Sequence, residues 1–126
     1  MSPQAWLSLA RSDLAYAEHL PPNGLFETSA FLAQQAAEKA LKALLVQRRH
    51  PFPKTHNLEY LFELLESASI GVPAEVRQAV LLQNYTIRGR YPSGLPELTQ
   101  AEYEEALGLA RQVVAWVDRE LQAQGC

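Results

Sequence analysis

The stretch Phe31-Leu-Ala-Gln-Gln-Ala-Ala-Glu-Lys-Ala-Leu-Lys-Ala-Leu-Leu45 decides the fold class. Its alanine-rich composition favours helix intrinsically, and Phe31, Ala37, Leu41, Leu44 and Leu45 form one apolar stripe at helical spacing. Extended outward, the pattern predicts a helix from about Phe26 to Arg49, ended by Pro51 and Pro53. Upstream, Ser2 as cap and Pro3 at the first helical position open another helix, on which Trp6, Leu7, Ala10, Leu14 and Ala17 recur. Pro21-Pro22-Asn23-Gly24 breaks it. Downstream, Thr55 or Asn57 caps a third helix carrying Leu58, Leu61, Phe62 and Leu65, and Gly71 closes it. Pro73 starts a fourth, with Val76, Val80 and Leu81. Tyr85 to Leu98 is too irregular for helix. Thr99-Gln-Ala-Glu102 is a capping box for a last helix that turns Tyr103, Leu107, Ala110, Val113, Val114, Val117 and Leu121 inward. Strand-like alternation is absent. The expectation is an all-α, up-and-down antiparallel bundle of about five helices, a single domain over residues 1–126.

Composition narrows the function classes. With 126 residues, 48% hydrophobic and 20% charged, the chain can bury one proper core. A net charge of −3 argues against broad, non-specific coating of nucleic acid. Locally the balance reverses: Lys39, Lys42, Arg48, Arg49 and Lys54 follow one another with no acid between them. The single cysteine, Cys126, rules out a disulfide framework within one chain. His19 and His50 have no metal-ligand spacing, so neither a metal nor another cofactor is expected. No basic-then-apolar leader and no apolar run of ~18 residues occur, which predicts a cytoplasmic protein with no membrane contact.

Three features carry possible chemistry. On a wheel of ~100° per residue centred on Gln34, the apolar arc of the second helix runs from roughly −120° at Ala40 to roughly +60° at Phe31. Gln34 therefore falls among apolar neighbours, Glu38 at roughly +40° sits just inside the edge, and Lys42 at roughly +80° flanks them. Glu38 and Lys42 form either an ordinary surface pair or part of a polar pocket at the seam between helices. The second feature is Tyr85-Thr86-Ile87-Arg88-Gly89-Arg90-Tyr91-Pro92, where two arginines bracket a glycine and two tyrosines bracket both. Arginine forks bind phosphate and tyrosine faces stack on bases, although tyrosines that plug the bundle end are an equally simple reading. The third is His56, at the start of the third helix, in either a capping or a chemical role. Phosphate-cradling glycine loops, nucleophile elbows and His-Glu-x-x-His helices are absent.

Taken in order, the Phe31–Leu45 helix, Thr55-His56-Asn57-Leu58 and Tyr85…Arg90-Tyr91-Pro92 resemble the HEPN (higher eukaryotes and prokaryotes nucleotide-binding) family over about 120 residues. The resemblance implies a helical bundle, commonly a homodimer, partnered by a small nucleotidyltransferase in toxin–antitoxin-like pairs. Many relatives are metal-independent ribonucleases marked by an arginine followed, after about four to six intervening residues, by a histidine near the start of a late helix. Here the chain departs from the pattern, because no histidine follows Arg88 or Arg90. Arg49 and His56 have the spacing but lie between the second and third helices.

The sequence reading is therefore a nucleotide- or RNA-binding protein. Lys42, His56, Arg88, Arg90 and Tyr91 are its expected phosphate-binding residues, converging on one cleft, and Gln34, Glu38 and Tyr85 form a supporting polar pocket. A ribonuclease toxin using His56 with Arg88 or Arg90 is the alternative, and a ligand-free helical scaffold the third reading. Broad apolar stripes on the second and last helices add to the expectation of a homodimer.

Overall fold

The computed structural model describes residues 2–85, 88, 92 and 94–124. Among these, the elements are α1 (Pro3–Glu18), α2 (Phe26–Gln47), α3 (Leu58–Ser67), the single turn α4 (Ala74–Arg77) continued by a 3₁₀ segment (Gln78–Asn84), and α5 (Gln100–Gln124), with no strand. The helix starts follow their capping chemistry. Ser2 Oγ accepts the Ala5 N–H at 3.0 Å, and Asn57 Oδ1 accepts that of Tyr60 at 3.1 Å. Thr99 and Glu102 exchange backbone-to-side-chain bonds at 3.0 and 3.1 Å, which completes the capping box.

The helix ends depart from expectation. α2 ends at Gln47, two residues short of the expected Arg49, and α3 at Ser67; Arg49 (φ 55°) and Ser69 (φ 65°), both left-handed, turn the chain before Pro51 or Gly71 is reached. His50 and Ile70 then donate to the carbonyls of Leu45 and Leu65 at 2.9 and 3.0 Å, the Schellman arrangement. The fourth helix is likewise shorter than its apolar pattern suggests. Pro73 is its cap, and Leu81, in the 3₁₀ continuation, is 48% exposed. Gly24 in the α1–α2 turn has a steric reason: a Cβ there would lie 2.6 Å from the Leu20 side chain.

α2 is the central rod. Alanines 30, 33, 36, 37, 40 and 43 and Leu41, Leu44 and Leu45 are fully buried. Alanine on several faces lets α1, α3 and α5 approach it closely, as a helix apolar nearly all round demands. Its broad stripe is thus covered within the chain and needs no second copy. α5 begins at the end where α2 begins: Tyr103 stacks on Phe26 with centroids 4.9 Å apart, and Leu98 N–H donates to Glu27 at 3.0 Å. α1 is tied to α5 by Arg11–Asp118 at 2.9 Å and Arg111–Glu18 at 2.6 Å.

The connection 48–57 positions the site. Arg48 Nη1 donates to the Ala68 carbonyl at 2.9 Å, which fixes the end of α3 near the end of α2. The start of α3 is held elsewhere, because Gln34 Nε2 donates to the His56 carbonyl at 3.2 Å. The connection therefore folds back along α2 and delivers His56 to the middle of that helix.

Candidate functional site

Gln34, Glu38 and Lys42 are spaced four residues apart, so they form a row along one line of α2. All three are buried, with 0%, 3% and 5% of their surface exposed. Buried charge is tolerated only when it is paired and hydrogen-bonded, and both conditions are met. Lys42 Nζ donates to Glu38 Oε2 at 3.0 Å, and His56 Nδ1 lies 2.9 Å from Glu38 Oε1. Gln34 Nε2 approaches the same Oε1 at 3.5 Å, and Gln34 Oε1 accepts from Gln35 Nε2 at 2.8 Å. Glu38 and Lys42 are thus a buried pair and not a surface one.

Two aromatic rings close the row. Trp6 of α1 and Phe52 of the connection meet edge to face, with centroids 6.3 Å apart. The Lys42 ammonium lies 5.6 Å from the Trp6 centroid and 5.9 Å from that of Phe52, within cation–π range. Lys42 is therefore enclosed and neutralised, and its charge reaches a ligand only through Glu38 and His56. Lys42, an expected phosphate-binding residue, is thus placed behind Glu38, Trp6 and Phe52. His56 is different, since 44% of its side-chain surface is exposed. A carboxylate only accepts, so the Nδ1 hydrogen faces Glu38 and Nε2 is the ring nitrogen that Glu38 does not engage. In this arrangement a buried carboxylate orients a histidine whose other nitrogen can bind an anion when protonated or take a proton when neutral.

The Arg-Gly-Arg region is built differently. Arg90 and Tyr91 lie outside the described residues. Arg88 is half-buried, its Nη2 donates to the Pro96 carbonyl, and its Nε is buried without a hydrogen-bond partner. Tyr85 is buried, and its phenol pKa is raised by that burial and by the carboxylates of Glu102 and Glu105, with Arg88 opposing. Pro96 lies two residues before Leu98, which bonds Glu27 in the first turn of α2. Glu38 is eleven residues further along that helix, roughly 16 Å away at 1.5 Å per residue. The described contacts join Gln34, Glu38, Lys42 and His56 into one network, and Tyr85 and Arg88 form a second cluster, reached from the first through Gln83, two residues before Tyr85, which accepts from Leu58 beside His56. Whether Lys42, His56, Arg88, Arg90 and Tyr91 share one cleft turns on Arg90 and Tyr91, which lie outside the described residues.

Sequence reasoning missed Trp6 and Phe52 as the cover of Lys42. It also missed Gln83, whose Oε1 accepts the Leu58 N–H at 2.9 Å and so completes the α3 cap beside His56. An aromatic pair flanking a basic helix edge was the available signal for the first; Gln83 gave none. Among the described residues no three His, Cys, Asp or Glu side chains gather as a metal site would require.

The HEPN domain family model matches residues 3–121. A crystal structure of a protein from Thermus thermophilus superposes with a TM-score of 0.82 at 34% identity, covering 94% of this chain and 98% of that one. A second crystal structure, of an archaeal HEPN homologue, gives a TM-score of 0.75 at 26% identity, covering 96% and 98%. No curated protein matches the sequence significantly.

Proposed function

The chain belongs to the HEPN domain family, and from that premise we propose that it binds a phosphate-bearing ligand, a nucleotide or RNA, at the surface presented by His56. The observation that carries this reading is the Glu38–His56 contact of 2.9 Å. It fixes a half-exposed imidazole with Nε2 not engaged by Glu38, above a Glu38–Lys42 pair that is already neutral. Protonation of His56 then adds a net positive charge at the surface, where a phosphate oxygen can accept from it. Arg88, with one buried N–H unsatisfied, is the second candidate contact, and Arg90 and Tyr91 belong to the same proposal. The proposal extends to a homodimer paired with a minimal nucleotidyltransferase in a toxin–antitoxin-like system. Leu9 and Tyr16, 49% and 71% exposed on α1, are compatible with a further protein contact. No described helix is long and apolar enough to cross a membrane.

Titration of RNA oligonucleotides and mononucleotides into wild type, His56→Ala and Arg88→Ala tests the reading. His56→Ala is expected to weaken binding about tenfold, or about 1.4 kcal/mol. Equal affinity in all three proteins would reject the assignment.

Metal-independent RNA cleavage is a second reading, favoured by the same contact. A carboxylate that holds one imidazole nitrogen leaves the other aimed at a reacting proton, as in hydrolytic triads. Cleavage in excess chelator that disappears in His56→Ala would select it over simple binding.

A further inference from the structure

The basic run from Lys39 to Lys54 is split by the fold into two parts with different fates. Lys39 is bonded to Asp13 at 2.7 Å and Lys42 is sealed against Glu38, so both serve the interior. Arg48, Arg49 and Lys54 remain exposed on the connection that folds back along α2. No Asp or Glu occurs between Lys39 and Leu58. Glu59, Glu63 and Glu66 share one face of α3 by their spacing, and Arg77 of α4 binds Glu59 at 2.7 Å and Glu66 at 2.6 Å. Two of the three acids on that face are thereby paired with Arg77 of α4.

Arg49 adds an independent observation. Its φ of 55° is a conformation that glycine adopts freely and that costs other residues about 1 kcal/mol. An arginine at a position suited to glycine makes sense when its side chain is used. At the other end of the connection stand two accessible rings, His56 and Tyr60, the latter 36% exposed. From the end of α2 at Gln47, two residues before Arg49, to the level of Glu38 is nine residues of helix, roughly 14 Å at 1.5 Å per residue. That is too long for one mononucleotide and suits a chain of repeating phosphates.

We propose that the connection 48–57 is a track for single-stranded RNA. Arg49 and Lys54 contact successive phosphates and lead the strand to His56, with Tyr60 offering a face for base stacking. The inference rests on the phosphate-binding reading of His56 and specifies its ligand as a polymer rather than a mononucleotide. Cations interleaved with exposed rings favour nucleic acid over an acidic peptide, because bases stack and carboxylates do not.

The test compares wild type with Arg49→Glu/Lys54→Glu, using an oligouridylate of about ten nucleotides, uridine monophosphate and a polyglutamate peptide as probes. The oligonucleotide is expected to bind wild type at least about tenfold more tightly than the mononucleotide and to lose about tenfold in the double variant, while the mononucleotide is unaffected. The dependence of log K on log salt should flatten by about one to two, since each lost phosphate contact on a single strand removes about 0.7. Arg49→Gly/Lys54→Gln separates fold from binding: glycine relieves the backbone at residue 49, so this variant should unfold no earlier than wild type yet bind the oligonucleotide less well. Oligonucleotide affinity unchanged by either double variant overturns the track and leaves the His56 reading standing. Polyglutamate competing as well as RNA overturns the choice of ligand. Failure of both nucleotide probes to bind wild type overturns the track together with the reading beneath it.

Discussion

At the middle of α2, Glu38 receives Lys42, His56 and Gln34, and each buried polar group of that row has a partner at hydrogen-bond distance. Toward the start of the same helix, Arg88 reaches the Pro96 carbonyl with one nitrogen and leaves Nε buried and unsatisfied. The first cluster hangs on a regular helix; the second hangs on a segment rich in glycine and proline. A fully satisfied buried network is stiff and costly to break, whereas an unsatisfied donor is costly to keep and gains when an acceptor arrives. The contrast is between a row whose polar groups are all satisfied and a loop that keeps one buried donor without an acceptor.

The largest effect expected from this difference lies in the α2 row. Glu38→Ala strands the Lys42 ammonium, 6% exposed at its side chain, with only two aromatic faces for company. Removing one partner of a buried pair costs about 3–5 kcal/mol, whereas replacing both with apolar groups of similar volume is often neutral. Urea unfolding should therefore find Glu38→Ala severely destabilised and Glu38→Met/Lys42→Met close to wild type. The double variant should nevertheless lose its ligand affinity, because His56 is no longer oriented. A Glu38→Ala protein within about 1 kcal/mol of wild type would mean that the row is better hydrated than its burial indicates.

The loop side should respond more weakly, and at its boundary rather than within it. Thr99 Oγ1 accepts the Glu102 N–H at 3.1 Å, and Glu102 returns a bond to the Thr99 N–H at 3.0 Å. Thr99→Ala is expected to cost about 1 kcal/mol, typical of a lost N-cap. Amide exchange should quicken in the first turn of α5 while α2 stays protected. Loosening that spread equally to α2 would show that the two regions share one cooperative unit.

Legibility in the sequence follows the same boundary. Regular periodicity predicted α1, α2, α3 and α5 and, through the helical wheel, the burial of Gln34 and Glu38. The Thr99 box could be read because two side chains at fixed spacing satisfy each other locally. The course of the 48–57 connection was not legible, since nothing in its composition says that it folds back along α2 instead of leaving its end. That return is what brings His56 to Glu38. The end of α2 was legible to within two residues, but the left-handed turns at Arg49 and Ser69 were hidden, because sequence assigns that conformation by default to glycine. The division of the basic run into buried Lys42 and exposed Arg49 and Lys54 depends on Trp6 and Phe52, which come from two distant segments.

The smallest and most selective effect concerns Tyr85, at the edge of the loop cluster. Burial raises its phenol pKa from the ordinary 10.0, and Glu102 and Glu105 push the same way while Arg88 opposes them. The folded state therefore holds the phenolic proton at a pH where the unfolded chain has begun to release it. With more protons bound in the folded state, stability falls as pH rises. The contribution is complete below about pH 10 and is lost as the pH climbs from there through the folded pKa. Tyr85→Phe keeps the ring in its packed position and removes the titration. Thermal or urea midpoints of wild type should consequently drop more steeply than those of Tyr85→Phe above about pH 10, with parallel behaviour below it. Ligand at Arg88 adds a further arm. An anion drawn to that guanidinium weakens the one influence that lowers the Tyr85 pKa, so saturating ligand should carry the alkaline loss to higher pH before it levels off. An upper limit that stays fixed would place the ligand away from Arg88 and leave His56 and the basic connection as its whole site.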